Sequence, residues 1–354
     1  MKIGILAHGK SVWMLHWAQL LHEHSHEVCY FSFDPPLKSV SFNYRVIPSP
    51  FLKGYGQFIL ASILFSHLLK KESVEIVHSF YSTNYGLLAA LQNKISFVVT
   101  CAGSDILVEP HRNKLFHLTN KIVFHRAKAL NAVAAHLQKK IVSEYNVDPN
   151  KIFVFPEGIN LEQFRIQKTR RFPEIVQIVS TRNFHSIYNL EVIFKVIPAI
   201  IRQFGKVKFV FLGDGPLKNQ FVQQIKSQKL ENYVSFLGWQ SKDELASVLA
   251  QSSVYVSASL SDGASTSLLE AMASGCFPVV SDIPANREWI HHRQNGLLFQ
   301  PESPHLLQNA IVEVIKNRTL RETSAQENRK LIQSRADEKM ILHELENFYD
   351  FALR

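Results

Sequence analysis

Cysteine is scarce in this sequence. Cys29, Cys101 and Cys276 are the only three, and they lie far apart. An odd, sparse set argues against a disulfide framework and fits a reducing cytosol. No cysteine and histidine cluster has zinc spacing. Acidic residues never fall in the Asp-x-Asp pattern of a simple metal site. Glycine is thin at the first turn: the loop after the opening apolar run reads HGKS, not GxGxxG, which disfavours a dinucleotide site. That opening run, MKIGILAHGK, breaks at His8-Gly9. It is too short for the apolar part of a secretion signal or a membrane span and reads as a buried first strand. Charged residues make up 19% against 46% hydrophobic, and no low-complexity tract is present, so the chain is globular.

What is present is positive charge, a net +9. Through Arg165 there are 17 Lys/Arg against 11 Asp/Glu, a net of +6, and the remainder holds 22 against 19, a net of +3. A basic first half points to nucleic acid, anionic lipid or a phosphorylated substrate. Nucleic acid is set aside, because no motif of its usual readers occurs.

At 354 residues the chain is long enough for two domains. Short apolar runs alternate with amphipathic stretches throughout. In the first half, Ile3–Ala7, Glu27–Phe33, Glu75–Ser79, Phe97–Cys101 and Ala129–Ala134 read as strands, Pro35, Pro36, Pro48 and Pro50 mark loops around Tyr44–Ile47, and Ile152–Phe155 ends the half. In the second half, strands are expected at Ile175–Ser180, Val207–Leu212, Val234–Leu237, Val254–Ala258, Pro278–Ser281 and Gly296–Phe299. Helical spacing fills the gaps and continues through Pro304–Lys316 and Arg335–Leu353. This rhythm predicts an α/β fold of two doubly wound, Rossmann-like domains with parallel sheets. Expected boundaries are 1–160, 161–334 and a final helix, 335–354, packing back on the first domain. The polar stretch Asn160–Pro173 reads as the linker, and a ligand is expected in the cleft between the domains.

One segment concentrates chemistry. Leu260 to Ala285 holds two carboxylates, Asp262 and Glu270, separated by glycine and small polar residues. It reads as a strand, a tight loop and a helix start that Ser265, Thr266 or Ser267 can cap. Unpaired amides and the helix dipole there favour an anion. A carboxylate before that site and another inside the helix suit a ligand with both phosphates and hydroxyls, such as a sugar nucleotide.

Several motifs stand in order around this segment: CAGSD at 101–105, PEGIN at 156–160, TRN at 181–183, FLGDGP at 211–216, FLGW at 236–239 and SDGASTSLLEAMASG at 261–275. Together they resemble the retaining glycosyltransferases of the GT-B fold, family 4. With HSFY at 78–81 and IYNLE at 187–191, the chain is similar to members that build bacterial surface polysaccharides such as lipopolysaccharide, capsule or O-antigen. The resemblance implies transfer of a sugar from a nucleotide-diphosphate donor to a hydroxyl of a glycan or lipid-linked glycan. It implies front-face attack, with the leaving phosphate acting as base. Glu270 would accept from the ribose hydroxyls. Asp262 would face the donor sugar, with the Gly263 and Ala264 amides beside it. Ser267 and Leu268 amides would take the diphosphate. Arg182 would neutralise the leaving group. Gly9 and Gly213 would sit in turns beside the donor, and FLGW on its base side. No cofactor or metal is expected.

The chain departs from that pattern at three positions. Asp262 stands for a glutamate, Ile187 for a lysine five residues after the arginine, and Ala102 for a histidine before GSD. Compensation is sought from Lys10, His16 or Asp105, the last also a candidate catalytic residue or helix cap. His16, His78 and Tyr81 are weak acceptor-side candidates, expected toward the cleft. These departures leave open a non-catalytic binding subunit. A sugar-nucleotide 2-epimerase on the same fold would need further acid and base groups that the sequence does not identify.

Two stretches bear on a membrane. Phe58–Leu69 is apolar nearly all round and reads as a buried helix, with a membrane-interface helix as the alternative. Arg112, Lys114, Lys121, Arg126 and Lys128 interleave with Leu115, Phe116, Ile122 and Phe124, as a solvated helix or a lipid-docking one. The expected location is cytoplasmic, peripheral to the inner face of the membrane.

Overall fold

The computed structural model describes residues 1–36, 38–48, 55–92, 94–166 and 175–354. The chain divides into two compact units, Met1–Glu157 with Lys339–Arg354, and Gly158–Glu338. Each is built on one sheet whose pairings are all parallel.

In the first unit the strands are β1 (Lys2–Leu6), β2 (Glu27–Ser32), β3 (Asn43–Val46), β4 (Ile76–Phe80), β5 (Phe97–Cys101), β6 (Ala129–Ala132) and β7 (Ile152–Val154). Their order is β3-β2-β1-β4-β5-β6-β7, so direction of travel reverses between β1 and β4. The second unit holds β8 (Val176–Ser180), β9 (Val207–Leu212), β10 (Val234–Gly238), β11 (Val254–Ser257), β12 (Phe277–Ser281) and β13 (Leu297–Phe299). Their order is β10-β9-β8-β11-β12-β13, with the reversal between β8 and β11. Central strands are buried on both faces, which is why they read as continuous apolar runs rather than alternating ones. Open parallel sheets bind ligands where strand order reverses, at the carboxyl ends.

The boundaries differ from the expected ones. Ile159 and Asn160 already belong to the second unit: Ile159 bridges to Asp337 and the Asn160 amide donates to Glu338. Phe164 is fully buried there, and Arg329 holds the Leu161 and Phe164 carbonyls. Leu161–Phe164 is therefore core rather than linker, and 167–173 of the expected linker lie outside the described residues. A long helix, Arg318–Arg335, has no apolar stripe to announce it. Its inward groups include Arg321, which donates to the Ile315 carbonyl at 2.8 Å, and Asn328, paired with Asn295 at 2.9 Å.

The last helix, Glu338–Leu353, packs into the first unit. Ile341, Leu345, Phe348 and Tyr349 join Trp17, Ile76 and Phe155 in one apolar cluster. Beneath it the Tyr349 hydroxyl meets His78 Nδ1 at 2.8 Å and Thr100 Oγ1 meets His78 Nε2 at 2.7 Å. Thr100 donates onward to Asn131 at 3.2 Å, so it accepts from Nε2–H and leaves Nδ1 to accept from tyrosine. Burial holds the imidazole pKa down at about 3, so it stays neutral. His78 therefore anchors the terminal helix and has no exposed atom for an acceptor, contrary to expectation. Tyr349→Phe would strand the buried Nδ1 lone pair and is expected to lower stability by about 1–3 kcal/mol in urea unfolding.

Candidate functional site

In the second unit the reversal between β8 and β11 places two loops side by side. Thr181–Asn183 leaves β8, and the loop carrying Asp262 leaves β11. Arg182, only 7% exposed, lies between them. Its Nη2 donates to Asp262 and to Ser265 Oγ, and its Nε reaches Ser257 Oγ at 3.3 Å. Burial works against its charge, but the Asp262 carboxylate outweighs this and the guanidinium titrates above its usual range. The Tyr188 ring, 5.1 Å away, adds a cation–π contact.

Ser265 is also the cap of the helix Thr266–Ala273, accepting from Leu268 N at 3.3 Å. The Leu268 amide bonds to the Ser265 carbonyl as well, at 2.8 Å. It is therefore committed to the cap, and the expectation that it takes a diphosphate is corrected. Ser267 lines a cavity instead. Gly263 is buried and Ala264 half-buried in the same loop. A guanidinium and a helix N-terminus thus converge, with Asp262 as their counter-charge.

Glu270, one turn further along, is 4% exposed. Its Oε1 accepts from Lys242 Nζ at 2.7 Å, and Lys242 also lies 5.6 Å over the Phe164 ring. Sequence reasoning missed Lys242. Its only local signal is Ser241, the cap of a boxed helix start shared with Glu244, and that says nothing of Glu270.

The cavity beside these groups has a volume of about 170 Å3 and is lined by Thr181, Asn183, Leu212, Gly213, Trp239, Gln240, Leu245 and Ser267. Trp239 is 63% exposed at its rim. Gly213 (φ +111°) explains the FLGDGP turn: a Cβ there would meet Asn183 Oδ1 at 2.8 Å. The Gly213 amide donates to the Gly238 carbonyl at 2.7 Å, tying the turn to FLGW. Ile187, where a lysine was sought, accepts from the Leu260 amide through its carbonyl at 2.9 Å.

In the first unit a second cavity, about 260 Å3, opens at the reversal between β1 and β4. His8, Ser11, Phe80, Tyr81, Asn84, Tyr85, Ser104 and Glu109 line it. Tyr81 holds a left-handed backbone, φ +68°, a strained state that clusters at functional positions. His8 pairs with Asp34 at 3.2 Å, and Glu109 accepts from Thr83 at 2.6 Å. His16 is half-buried on the helix Val12–Glu23 and is not among the lining residues. A Cβ on Gly9 would strike the Asp34 carbonyl and the Tyr44 hydroxyl, so its requirement is packing of adjacent loops.

Asp105 is fully buried. It accepts from Ser82 N and Oγ (3.0 and 3.1 Å), Ala102 N (3.1 Å) and Gly103 N (2.9 Å). It fastens two strand-end loops and cannot touch a substrate, so its candidacy as a catalytic residue is corrected. Burial raises its pKa to about 6 against the bonds that lower it. Between 3.8 and about 6 the folded state binds a proton that the unfolded state does not, so this group adds stability as pH falls. The destabilisation caused by Asp105→Asn should therefore widen between pH 6 and pH 4, by at most about 1.4 kcal/mol per pH unit in paired urea melts.

Among the described residues no group of three or more His, Cys, Asp or Glu could hold a metal ion.

Comparison with known proteins gives a consistent pattern. The profile of the glycosyl transferases group 1 matches residues 162–331, and that of glycosyltransferase family 4 matches residues 8–163. The phosphatidylinositol N-acetylglucosaminyltransferase gpi3 subunit of Schizosaccharomyces pombe is 24% identical over 232 residues, 62% of this chain. The match spans about half of that protein, 49% of its length. The UDP-Gal:alpha-D-GlcNAc-diphosphoundecaprenol alpha-1,3-galactosyltransferase of Escherichia coli is 26% identical over 278 residues, 72% of this chain and 69% of its own. Among solved structures, Anabaena HepE in complex with UDP superposes with a TM-score of 0.83 at 17% identity, covering 99% of this chain and 100% of that one.

Proposed function

This chain belongs to the group 1, family 4 glycosyltransferases and has the GT-B fold, and on that premise we propose that it transfers a sugar from a nucleotide-diphosphate donor to a hydroxyl of a glycan or lipid-linked glycan. The observation that carries the reading is the Arg182 cluster: a buried cation meets a capped helix start where the second sheet reverses, with Glu270 one turn away. The diphosphate is assigned to Arg182 and the helix start, where negative charge grows as the glycosidic bond breaks. Glu270 takes the ribose diol, with Lys242 keeping one carboxylate oxygen in place. The cavity beside them is smaller than the roughly 300–1,000 Å3 of a complete small-molecule site, so it is assigned to the nucleoside, with Trp239 at its edge. No metal is assigned a role.

Retention at the anomeric carbon and a place in surface-polysaccharide assembly are proposed on the motif resemblance. The Escherichia coli relative is named for a lipid-diphosphate acceptor, which favours a lipid-linked acceptor here and a peripheral position on the inner face of the cytoplasmic membrane. No helix among the described residues is long and apolar enough to cross a membrane. The cavity of the first unit, with aromatic walls and hydroxyl, imidazole and carboxylate groups, is assigned to the acceptor.

The test is thermal-shift binding with UDP-, GDP-, ADP- and CDP-sugars. One nucleotide should raise the melting temperature of the native chain. Glu270→Ala should bind it about ten- to a hundredfold more weakly, the loss of one charge-assisted contact. No shift with any donor would overturn the reading in favour of a non-catalytic subunit.

A further inference from the structure

The helix Tyr55–Lys71 is not buried all round, as its sequence suggested. Ala61, Phe65 and Leu69 face the core, while Leu60, Ile63 and Leu64 stand in solvent, Ile63 at 71%. Their spacing of three and four residues puts them on one face. The helix Lys114–Arg126 likewise buries an apolar side, Val123 and Phe124, and keeps a second one exposed. Its buried side includes Thr119, bonded to the Leu115 carbonyl at 2.8 Å, and Asn120, bonded to the Asp105 carbonyl at 2.8 Å. Its exposed side carries Leu115, Leu118 and Ile122. Phe124 of the basic run is buried instead. Both helices thus carry apolar side chains on the solvent side as well as on the core side, which is not the order expected of a solvated helix.

These two helices flank the buried helix Tyr85–Leu91 and form the outer surface of one layer of the first unit. Neither contains an aspartate or a glutamate. Lys70 and Lys71 end the first, and Lys114, Lys121 and Arg126 lie on the second. We propose that this face docks the protein on an anionic lipid bilayer, with the aliphatic side chains entering the interface and the basic ones meeting lipid headgroups. The occupant is chosen on charge complementarity and composition. Protein hot spots favour Trp, Tyr and Arg, whereas this face offers Leu and Ile with four lysines and a single arginine, Arg126.

The inference deepens the reading above and rests on it for its purpose. Tyr85, the first residue of the flanked helix, lines the proposed acceptor cavity, and so does Glu109, whose short helix packs on Lys114–Arg126. Docking on this face sets the cavity beside the membrane, so an acceptor is reached while its lipid stays in the bilayer.

The experiment is co-sedimentation of the full chain with vesicles of phosphatidylcholine alone or mixed with phosphatidylglycerol. The native chain should sediment with the mixed vesicles, lose most binding at high salt, and bind phosphatidylcholine poorly. Ile63→Asp combined with Leu118→Asp should cut the bound fraction about tenfold while leaving the melting temperature and the donor-induced shift unchanged, since both residues are exposed. Should that variant unfold, Lys70→Glu with Lys71→Glu is the second reading, with a similar loss expected. Absence of native binding to mixed vesicles overturns the proposal, as does binding that neither variant reduces. A native dimer in light scattering that Ile63→Asp/Leu118→Asp dissociates would assign the face to a second copy and also overturn it. Glu270→Ala must keep its vesicle binding; a missing donor shift with vesicle binding intact would sink the proposed function and leave this surface standing.

Discussion

Arg182 puts a full positive charge where a protein tolerates it poorly, beneath a loop and at the positive end of a helix. Burying an unpaired cation costs several kcal/mol, and the helix dipole adds to the repulsion. Asp262 makes the arrangement tolerable, and Ser265 and Ser257 supply the remaining bonds. Much of the second unit follows from this cluster. The loop after β11 must bring Asp262 and Ser265 to the same guanidinium, and the turn after β9 must leave room for Asn183. In the proposed complex a bound diphosphate and Asp262 share this one cation.

The departures found in the sequence gain meaning from this geometry. With Ile187 in place of a lysine, Arg182 is the cation to which the diphosphate is assigned in the proposed reading, and its charge is matched by a carboxylate. A shorter Asp262 reaches the guanidinium directly. Lys242 adds a cation elsewhere, on Glu270, the proposed ribose acceptor, rather than at the proposed phosphate position. The site therefore balances its charges in two ion pairs, Arg182–Asp262 largely buried and Lys242–Glu270 with its lysine part-exposed, rather than presenting a surplus.

The strands were legible because parallel sheets demand continuous apolar runs, and every expected strand lies within a residue or two of its place. The Asp262–Glu270 segment was legible because capping and loop chemistry are local. Contacts distant in sequence were not. Lys242 meets Glu270 across 28 positions and Arg182 meets Asp262 across 80, distances no spacing rule spans. The helix Arg318–Arg335 was missed because its inward face uses side-chain hydrogen bonds where periodicity looks for leucine. His78 and Asp105 misled for the opposite reason: polar residues near strand ends look functional, yet each is fully buried and satisfied. Phe58–Leu69 misled because sequence cannot tell a core face from an exposed apolar one.

The most direct test of the shared-cation account is calorimetric binding of the free nucleoside diphosphate to the native chain and to Asp262→Asn. The account predicts that removing this carboxylate's charge tightens diphosphate binding by about tenfold or more, from relief of like-charge repulsion at an effective dielectric near 20, while sugar transfer falls. Unchanged or weaker diphosphate binding in Asp262→Asn would contradict it and place the diphosphate away from Arg182.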